Sequence, residues 1–140
     1  MPCSRTDNRH LLYSDLLSEL HALIFSHADC KVMIGGDFNV DLHSPTSLSD
    51  MMNDFLRNNS LIRCDSIFPV ANQYTYVNAS LNCMSCIDYF ITSDPFNMIA
   101  FNILDLDENF SDHLPIMVVL SCNYQNNTTG SKSQASLDQD

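Results

Sequence analysis

The sequence contains no tryptophan, only three glycines, and only six lysine and arginine residues among its 140 positions. Against 17 aspartates and glutamates, this gives a formal net charge of −11 at pH 7. Such an acidic chain lacks the basic face that a tight, independent nucleic-acid binder presents. Its carboxylates remain compatible with phosphate chemistry where a bound cation reverses the local charge.

Long apolar runs and a leader are also missing. No run approaches the roughly 20 residues needed to cross a bilayer, and the N-terminus lacks a basic start followed by an apolar block. We therefore expect an intracellular protein, in cytoplasm or nucleus, that is not secreted and has no membrane contact. A hydrophobic content of 45% is typical of one globular domain, which we assign to residues 1–122. Residues 123–140 are polar throughout, which predicts a disordered tail.

Six cysteines are scattered along the chain. This distribution favours free thiols in a reducing compartment over a disulfide scaffold. Cys83 and Cys86 have the spacing of half a zinc site, but no second Cys or His pair has that spacing. A metal-binding module built on this pair is a minor alternative interpretation.

Two segments have the periodicity of amphipathic helices. The first runs from about residue 9 to residue 26, with Asp7 or Asn8 as its cap. The second is predicted over residues 47–58, because residues 47–50 match a capping box. The apolar positions that define these helices are Leu12, Leu16, Leu20, Leu23 and Ile24 in the first, and Met51, Met52, Phe55 and Leu56 in the second.

Short apolar and β-rich runs predict a sheet of about five strands, mostly antiparallel after Tyr74. Residues 32–34 are apolar and stop at two glycines, which indicates a buried strand that ends in a tight turn. The other predicted strands are residues 74–77, 86–91, 96–106 and 116–120. A helix that leads into a buried strand is typical of layered α/β proteins.

Polar side chains lie near the ends of three predicted strands. Asp37 and Asn39 are two residues apart, so in extended backbone they share one side, although a solvated turn is an equal alternative for this stretch alone. Asp88 lies inside an apolar run and requires a partner, because a lone buried charge is very costly. Asp112 and His113 precede the last strand. At one sheet edge, these carboxylates, the amide and the imidazole would suit phosphodiester cleavage.

Four motifs follow one another along the chain: Gly-Asp-Phe-Asn (36–39), Tyr-Thr-Tyr (74–76), Ile-Asp-Tyr (87–89) and Ser-Asp-His-Leu-Pro-Ile (111–116). This order resembles the C-terminal half of the endonuclease/exonuclease/phosphatase family, and looks most like its LINE-type retrotransposon endonucleases. The resemblance implies an α/β fold: one sheet with flanking helices, taken from the four-layered sandwich of DNase I-like proteins. It also implies Mg²⁺-dependent nicking of DNA, and a reverse transcriptase domain as a partner in the parent polyprotein.

The resemblance implies a role for each matching residue. Asp37 would align or activate the attacking water, and Asn39 would hydrogen-bond the scissile phosphate. Asp88 would orient His113, which would contact the phosphate as it gains negative charge. These four residues are the predicted catalytic set.

Two further positions would assist: Thr75 would contact the substrate and support the site from the neighbouring strand, and Asp112 would assist the magnesium ion. Family members also have an early Asn and an early Glu, the main magnesium ligand, for which this sequence has no counterpart. Pro2 and Cys3 resemble the remnant of a later family segment. We therefore expect a domain without its N-terminal half, with an uncovered apolar sheet face and impaired activity. The alternative is a non-catalytic relic that binds a partner.

Overall fold

The computed structural model describes residues 5–121, with side chains from residue 8 onward. The predicted tail and the segment at Pro2 and Cys3 therefore lie outside the described residues. Within the described part, no helix has the length and apolar character of a membrane span. The helices are α1 (Arg5–Ser26) and α2 (Ser47–Asn58). The strands are β1 (Met33–Asp37), β2 (Ile62–Arg63), β3 (Tyr76–Asn78), β4 (Cys83–Ser85), β5 (Asp88–Thr92), β6 (Met98–Ile103) and β7 (Ile116–Leu120).

Helix α1 starts earlier than predicted and buries only part of the predicted apolar side. Because it begins at Arg5, Asp7 and Asn8 lie inside the helix and do not cap it. Tyr13 and Leu17 are its buried residues. The partly buried residues beside them are Leu20 and Ile24, and the exposed apolar residues include Leu12, Leu16 and Leu23. Periodicity therefore identified part of the buried side of α1, Leu20 and Ile24, and missed Tyr13 and Leu17.

Helix α2 has the predicted bounds, but its capping box is shifted by one residue. Thr46 is the N-cap: its hydroxyl accepts a hydrogen bond from the Ser49 backbone N–H at 3.1 Å. In return, the Ser49 hydroxyl accepts one from the Thr46 N–H at 2.7 Å. Ser49 supplies the group that we expected from Asp50. The apolar side of α2 packs into the main core, as its periodicity predicts, with Met52 completely buried.

The strands form three small antiparallel sheets, so the prediction of one five-stranded sheet was wrong. The sheets have the orders β1–β5–β2, β3–β4 and β6–β7. A 3₁₀ turn at Cys64–Ser66 ends β2 after two residues, and another at Pro95–Asn97 separates β5 from β6. Pro95 cannot donate a ladder hydrogen bond, which explains why the strand predicted from residue 96 begins only at Met98. The antiparallel pairing predicted after Tyr74 is confirmed.

Strand β1 is a partly exposed strand that continues through its glycines. Met33 and Ile34 are half-buried and the following three residues are exposed, so the prediction of a buried strand ending in a tight turn was wrong. Gly35 pairs with Phe90 across the ladder, and a Cβ atom at this position would overlap the Phe90 ring. Glycine is therefore needed here for close approach to the neighbouring strand.

Two hydrophobic clusters hold these elements together. The main cluster lies between α1, α2 and β5, and its fully buried members include Met52 and Ile91. A smaller cluster around Cys64 and Phe101 packs under β6 and β7. The outer face of β6 and β7 has exposed apolar side chains, among them Ile99, Met117 and Val119. This is consistent with the expectation of an uncovered apolar face.

Candidate active site

Two carboxylates meet at one edge of the β1–β5–β2 sheet. Asp37 is the last residue of β1, Asp88 is the first residue of β5, and the two are direct partners in the antiparallel register. Their carboxylate oxygens and a ring nitrogen of His113 all lie within 4.8 Å of one another. We call these three residues the acid–imidazole group. Like charges placed directly opposite repel, so the pair favours a cation nearby.

His113 is the hydrogen-bonding partner that the carboxylate of Asp88 needs inside the protein. Its Nδ1 lies 2.9 Å from Asp88 Oδ2, and the two side chains are 32% and 14% exposed. The hydrogen bond that Asp88 accepts from His113 raises the pKa of His113 above its usual value, and the negative charges of Asp88, Asp37 and Asp112 act in the same direction. Partial burial opposes this shift without cancelling it. The predicted hydrogen bond between these residues is present, and it favours an imidazolium.

The loop before β7 positions the imidazole through contacts that sequence reasoning missed. The His113 backbone N–H donates to Ser111 Oγ at 3.0 Å, and Asn109 Nδ2 donates to the His113 carbonyl at 2.9 Å. The Tyr76 ring lies against the imidazole, with 5.1 Å between ring centroids. The contact of Ser111 had a signal in the sequence, because a serine hydroxyl often accepts a hydrogen bond from the backbone N–H two residues later and so forms a local turn. Asn109 and Tyr76 had no comparable signal.

Thr75 supports the site from inside the protein. Its side chain is completely buried, and its Oγ1 accepts hydrogen bonds from the N–H groups of Ile87 at 3.1 Å and Asp88 at 3.0 Å. Its backbone carbonyl accepts a hydrogen bond from Leu114, the residue after His113. Thr75 therefore links the start of β5 to the His113 loop. We assign it this positioning role in place of the predicted substrate contact, because its hydroxyl is buried and already bonded.

Asn39 and Asp37 lie together through direct hydrogen bonds in a turn, the alternative to the extended backbone that would place them on one side. Asn39 has a φ of 53°, and its backbone N–H donates to Asp37 Oδ1 at 2.8 Å. Its amide Nδ2 donates to Asp37 Oδ2 at 3.2 Å. Phe38, between them, is buried. Arg9 of α1 donates to the Asn39 carbonyl at 2.7 Å, a contact across 30 residues that no local pattern indicates.

Asp112 lies beside the acid–imidazole group and is not one of its members. Its side chain is exposed, and its backbone carbonyl accepts a hydrogen bond from Val77 at 2.8 Å. Its charge helps to raise the pKa of His113. Among the described residues, the carboxylates that cluster with His113 are Asp37 and Asp88. The assisting role of Asp112 stays a prediction, and Asp37 and Asp88 are added as candidate magnesium ligands.

The pair Cys83 and Cys86 does not form the zinc module considered as an alternative. Cys83 is exposed in β4, whereas Cys86 is 3% exposed, and in the described chain no cluster of three ligating side chains contains both. Burial raises the pKa of Cys86 to about 11, so this thiol is protonated at neutral pH. The four cysteines of the described chain are free thiols, as expected: Cys30, Cys64, Cys83 and Cys86.

Comparison with known proteins agrees with this geometry. The sequence profile of the Endonuclease/Exonuclease/phosphatase family matches residues 2–113. The chain belongs to the endonuclease/exonuclease/phosphatase family. It has part of an α/β, DNase I-like fold. No curated protein matches the sequence.

A solved structure shares this fold: an endonuclease/exonuclease/phosphatase family protein from Leptotrichia buccalis C-1013-b. The TM-score is 0.51 at 18% sequence identity, and the match covers 66% of this chain. It covers 35% of that protein, so this chain spans about a third of its length. The family generally uses divalent metals, and the acid–imidazole group offers two carboxylates suited to such an ion.

Proposed function

We propose that this family member carries part of the active site of a magnesium-dependent phosphodiesterase that nicks DNA by attack of water. The observation that supports this proposal is the acid–imidazole group, in which two opposed carboxylates and a hydrogen-bonded imidazole converge. Asp37 and Asp88 would hold Mg²⁺, whose preferred ligands are carboxylate oxygens and water. The ion would neutralise negative charge on the phosphate as the transition state forms.

The other roles follow from the hydrogen bonds of the site. Asp37 would align the attacking water and receive its proton, because its carboxylate is already held by Asn39. The Asn39 amide has a second N–H with which it can bind a phosphate oxygen. His113 bonds Asp88 through Nδ1, which directs Nε2 toward substrate. As an imidazolium, it would donate a hydrogen bond to the phosphate and stabilise the developing charge.

The negative charge of the chain suggests that affinity for DNA comes from another domain. A formal charge of −11 repels a phosphate backbone, so we propose that this chain alone binds DNA weakly. Its motif order supports an origin in a LINE-type retroelement, in which a reverse transcriptase domain of the parent polyprotein would supply affinity. Such an element would act in the cytoplasm or nucleus. With two carboxylates and no match to the family's early Glu, we expect low activity from this chain by itself.

A small activated substrate tests the chemistry without a DNA groove. The measurement is hydrolysis of bis(4-nitrophenyl) phosphate by the full chain, with Mg²⁺ or with a chelator. We expect slow, metal-dependent hydrolysis that Asp37→Asn and His113→Ala each lower by roughly 100-fold, the lower range for a general acid–base group. Asp29→Asn, which changes an exposed acid in the loop between α1 and β1, is the matched control and should retain the activity. Equal rates in all four proteins would contradict the proposed site.

Supercoiled plasmid tests the DNA part of the proposal. With Mg²⁺, we expect nicking by the full chain to stay near the background of the Asp37→Ala variant. Robust nicking that disappears in Asp37→Ala would show that the carboxylates present suffice without the early Glu. Hydrolysis of the small substrate without plasmid nicking would indicate a working but incomplete site, whereas no reaction with either substrate would indicate an inactive one.

A partner-binding relic is the second candidate function, and the exposed apolar side chains favour it. Leu12 is 70% exposed and Phe25 is 78% exposed on α1, and Ile99 is 58% exposed on β6. Exposed apolar surface of this kind often marks an interaction site. This candidate predicts no metal-dependent hydrolysis of either substrate, together with self-association that Ile99→Lys reduces in analytical ultracentrifugation.

A further inference from the structure

A second set of metal-ligating side chains lies outside the acid–imidazole group. His43 follows β1 in the loop before α2, Asp65 lies in the 3₁₀ turn Cys64–Ser66, and Cys86 precedes β5. A His43 ring nitrogen, an Asp65 carboxylate oxygen and Cys86 Sγ all lie within 4.8 Å of one another. We call these residues the His–Asp–Cys cluster. They are 22 and 21 positions apart in sequence, so only the fold brings them together.

Asp65 gives an independent indication that a ligand is missing. Its side chain is only 10% exposed, and its Oδ2 forms an ion pair with Arg63 Nη2 at 3.1 Å. Its other oxygen, Oδ1, is buried and has no hydrogen-bond partner in the described part of the chain. Buried polar atoms without a partner are uncommon in folded proteins, and each needs an explanation such as an absent water or ion. A cation at the cluster would give Oδ1 its partner.

The core holds two of the three ligating segments in place. The hydroxyl of Tyr89 accepts a hydrogen bond from the backbone N–H of Leu42, next to His43, at 3.0 Å. The same hydroxyl donates to the backbone carbonyl of Cys86. Tyr89 is 1% exposed, so these two hydrogen bonds lie in the packed interior. The backbone spacing between the His43 loop and Cys86 is therefore preset before any ion binds.

We propose that His43, Asp65 and Cys86 bind one Zn²⁺ ion, with solvent in the fourth position. An imidazole nitrogen, a thiolate and a carboxylate form a ligand set suited to Zn²⁺, whereas Mg²⁺ requires oxygen ligands. The His43 side chain is exposed and can rotate to reach bonding distance. On binding, Cys86 forms a bond from sulfur to zinc, and its thiol proton is released to solvent. The ion would tie the loop after β1 to the 3₁₀ turn and to β5.

Co²⁺ provides the direct test, because a bond from thiolate to cobalt produces a charge-transfer absorption band. Titration of the reduced full chain with Co²⁺ should produce this band at one equivalent, and Zn²⁺ should displace it. His43→Gln and Asp65→Asn should each weaken Co²⁺ binding roughly tenfold or more, since even outer partners of a metal site can cost that much. Cys83→Ser, an exposed thiol three residues from Cys86, is the matched control and should keep the band.

His43→Gln is the decisive variant, because His43 is exposed and its replacement leaves the core packing intact. Cys86→Ser should remove the band while the circular dichroism spectrum stays native. No band in the unmodified chain, an unchanged band in His43→Gln, or loss of the band in Cys83→Ser would each overturn the proposal. Asp37→Asn should keep the band, so a failure of the proposed phosphodiesterase site does not affect this result.

Discussion

Asp37 and Asp88 face each other in register across β1 and β5, each at the terminal residue of its strand. One carboxylate is held by Asn39 and the other by His113. Two negative charges in this position repel unless a positive charge lies between or beside them. The protonated imidazole supplies part of that charge, and a bound divalent cation would supply the remainder.

The repulsion between these carboxylates predicts an unusual stability effect. Without divalent metal, Asp37→Asn should raise the free energy of unfolding by about 0.2–1 kcal/mol, the range for cross-strand charge pairs. With Mg²⁺ at millimolar concentration, the unmodified chain should gain stability and the variant should not, because the ion binds only the native carboxylate pair. Urea unfolding with and without Mg²⁺ measures both effects. A variant that is less stable without metal would argue against repulsion at this pair.

The hydrogen bond between Asp88 and His113 predicts a dependence on pH. Since the folded pKa of His113 is raised, its protonation stabilises the fold fully below about pH 6.5, the unfolded value. That contribution is lost as the pH rises through the folded pKa. Asp88→Asn should lower the folded pKa and remove this part of the pH dependence. An NMR titration of the His113 ring protons, in the unmodified chain and in Asp88→Asn, measures the pKa.

The buried hydroxyl of Thr75 predicts a large loss of stability on removal. Thr75→Val keeps the shape of the side chain but leaves the N–H groups of Ile87 and Asp88 without an acceptor. At about 1–3 kcal/mol for each of the two orphaned groups, the expected loss is roughly 2–6 kcal/mol. Thr75→Ser retains the hydroxyl and should lose much less. Chemical denaturation of both variants provides the comparison, and equal losses would assign the effect to packing alone.

The contact between Gly35 and Phe90 predicts a compensating pair of substitutions. Gly35→Ala places a Cβ atom where the Phe90 ring lies, so it should destabilise the chain by about 1–3 kcal/mol. Phe90→Leu removes the ring and should be less harmful in the Gly35→Ala background than in the unmodified chain. A double-mutant cycle measures this coupling. Additive effects would mean that the ring moves aside at no cost.

Much of the candidate site was predictable because its residues stand out in local sequence. Asp88 is an acid within an apolar strand, and a buried carboxylate needs a partner, which the structure supplies as His113. Asp37 and Asn39 also lie together, but through a turn in which the Asn39 backbone N–H bonds the Asp37 carboxylate and not through extended backbone. The catalytic roles of these residues stay predictions that the proposed experiments address.

Local pattern therefore determined the helices, the main strands, the antiparallel pairing and the need of Asp88 for a partner, whereas His113 as that partner came from the family resemblance. Local pattern did not determine which of the apolar side chains of α1 are buried, since only the packing of neighbouring elements decides which of them are covered. Nor did it determine the breaks between sheets, the bonds of Thr75, or the meeting of His43 with Asp65 and Cys86. These features depend on contacts between distant segments, and such contacts exist only after the chain has folded.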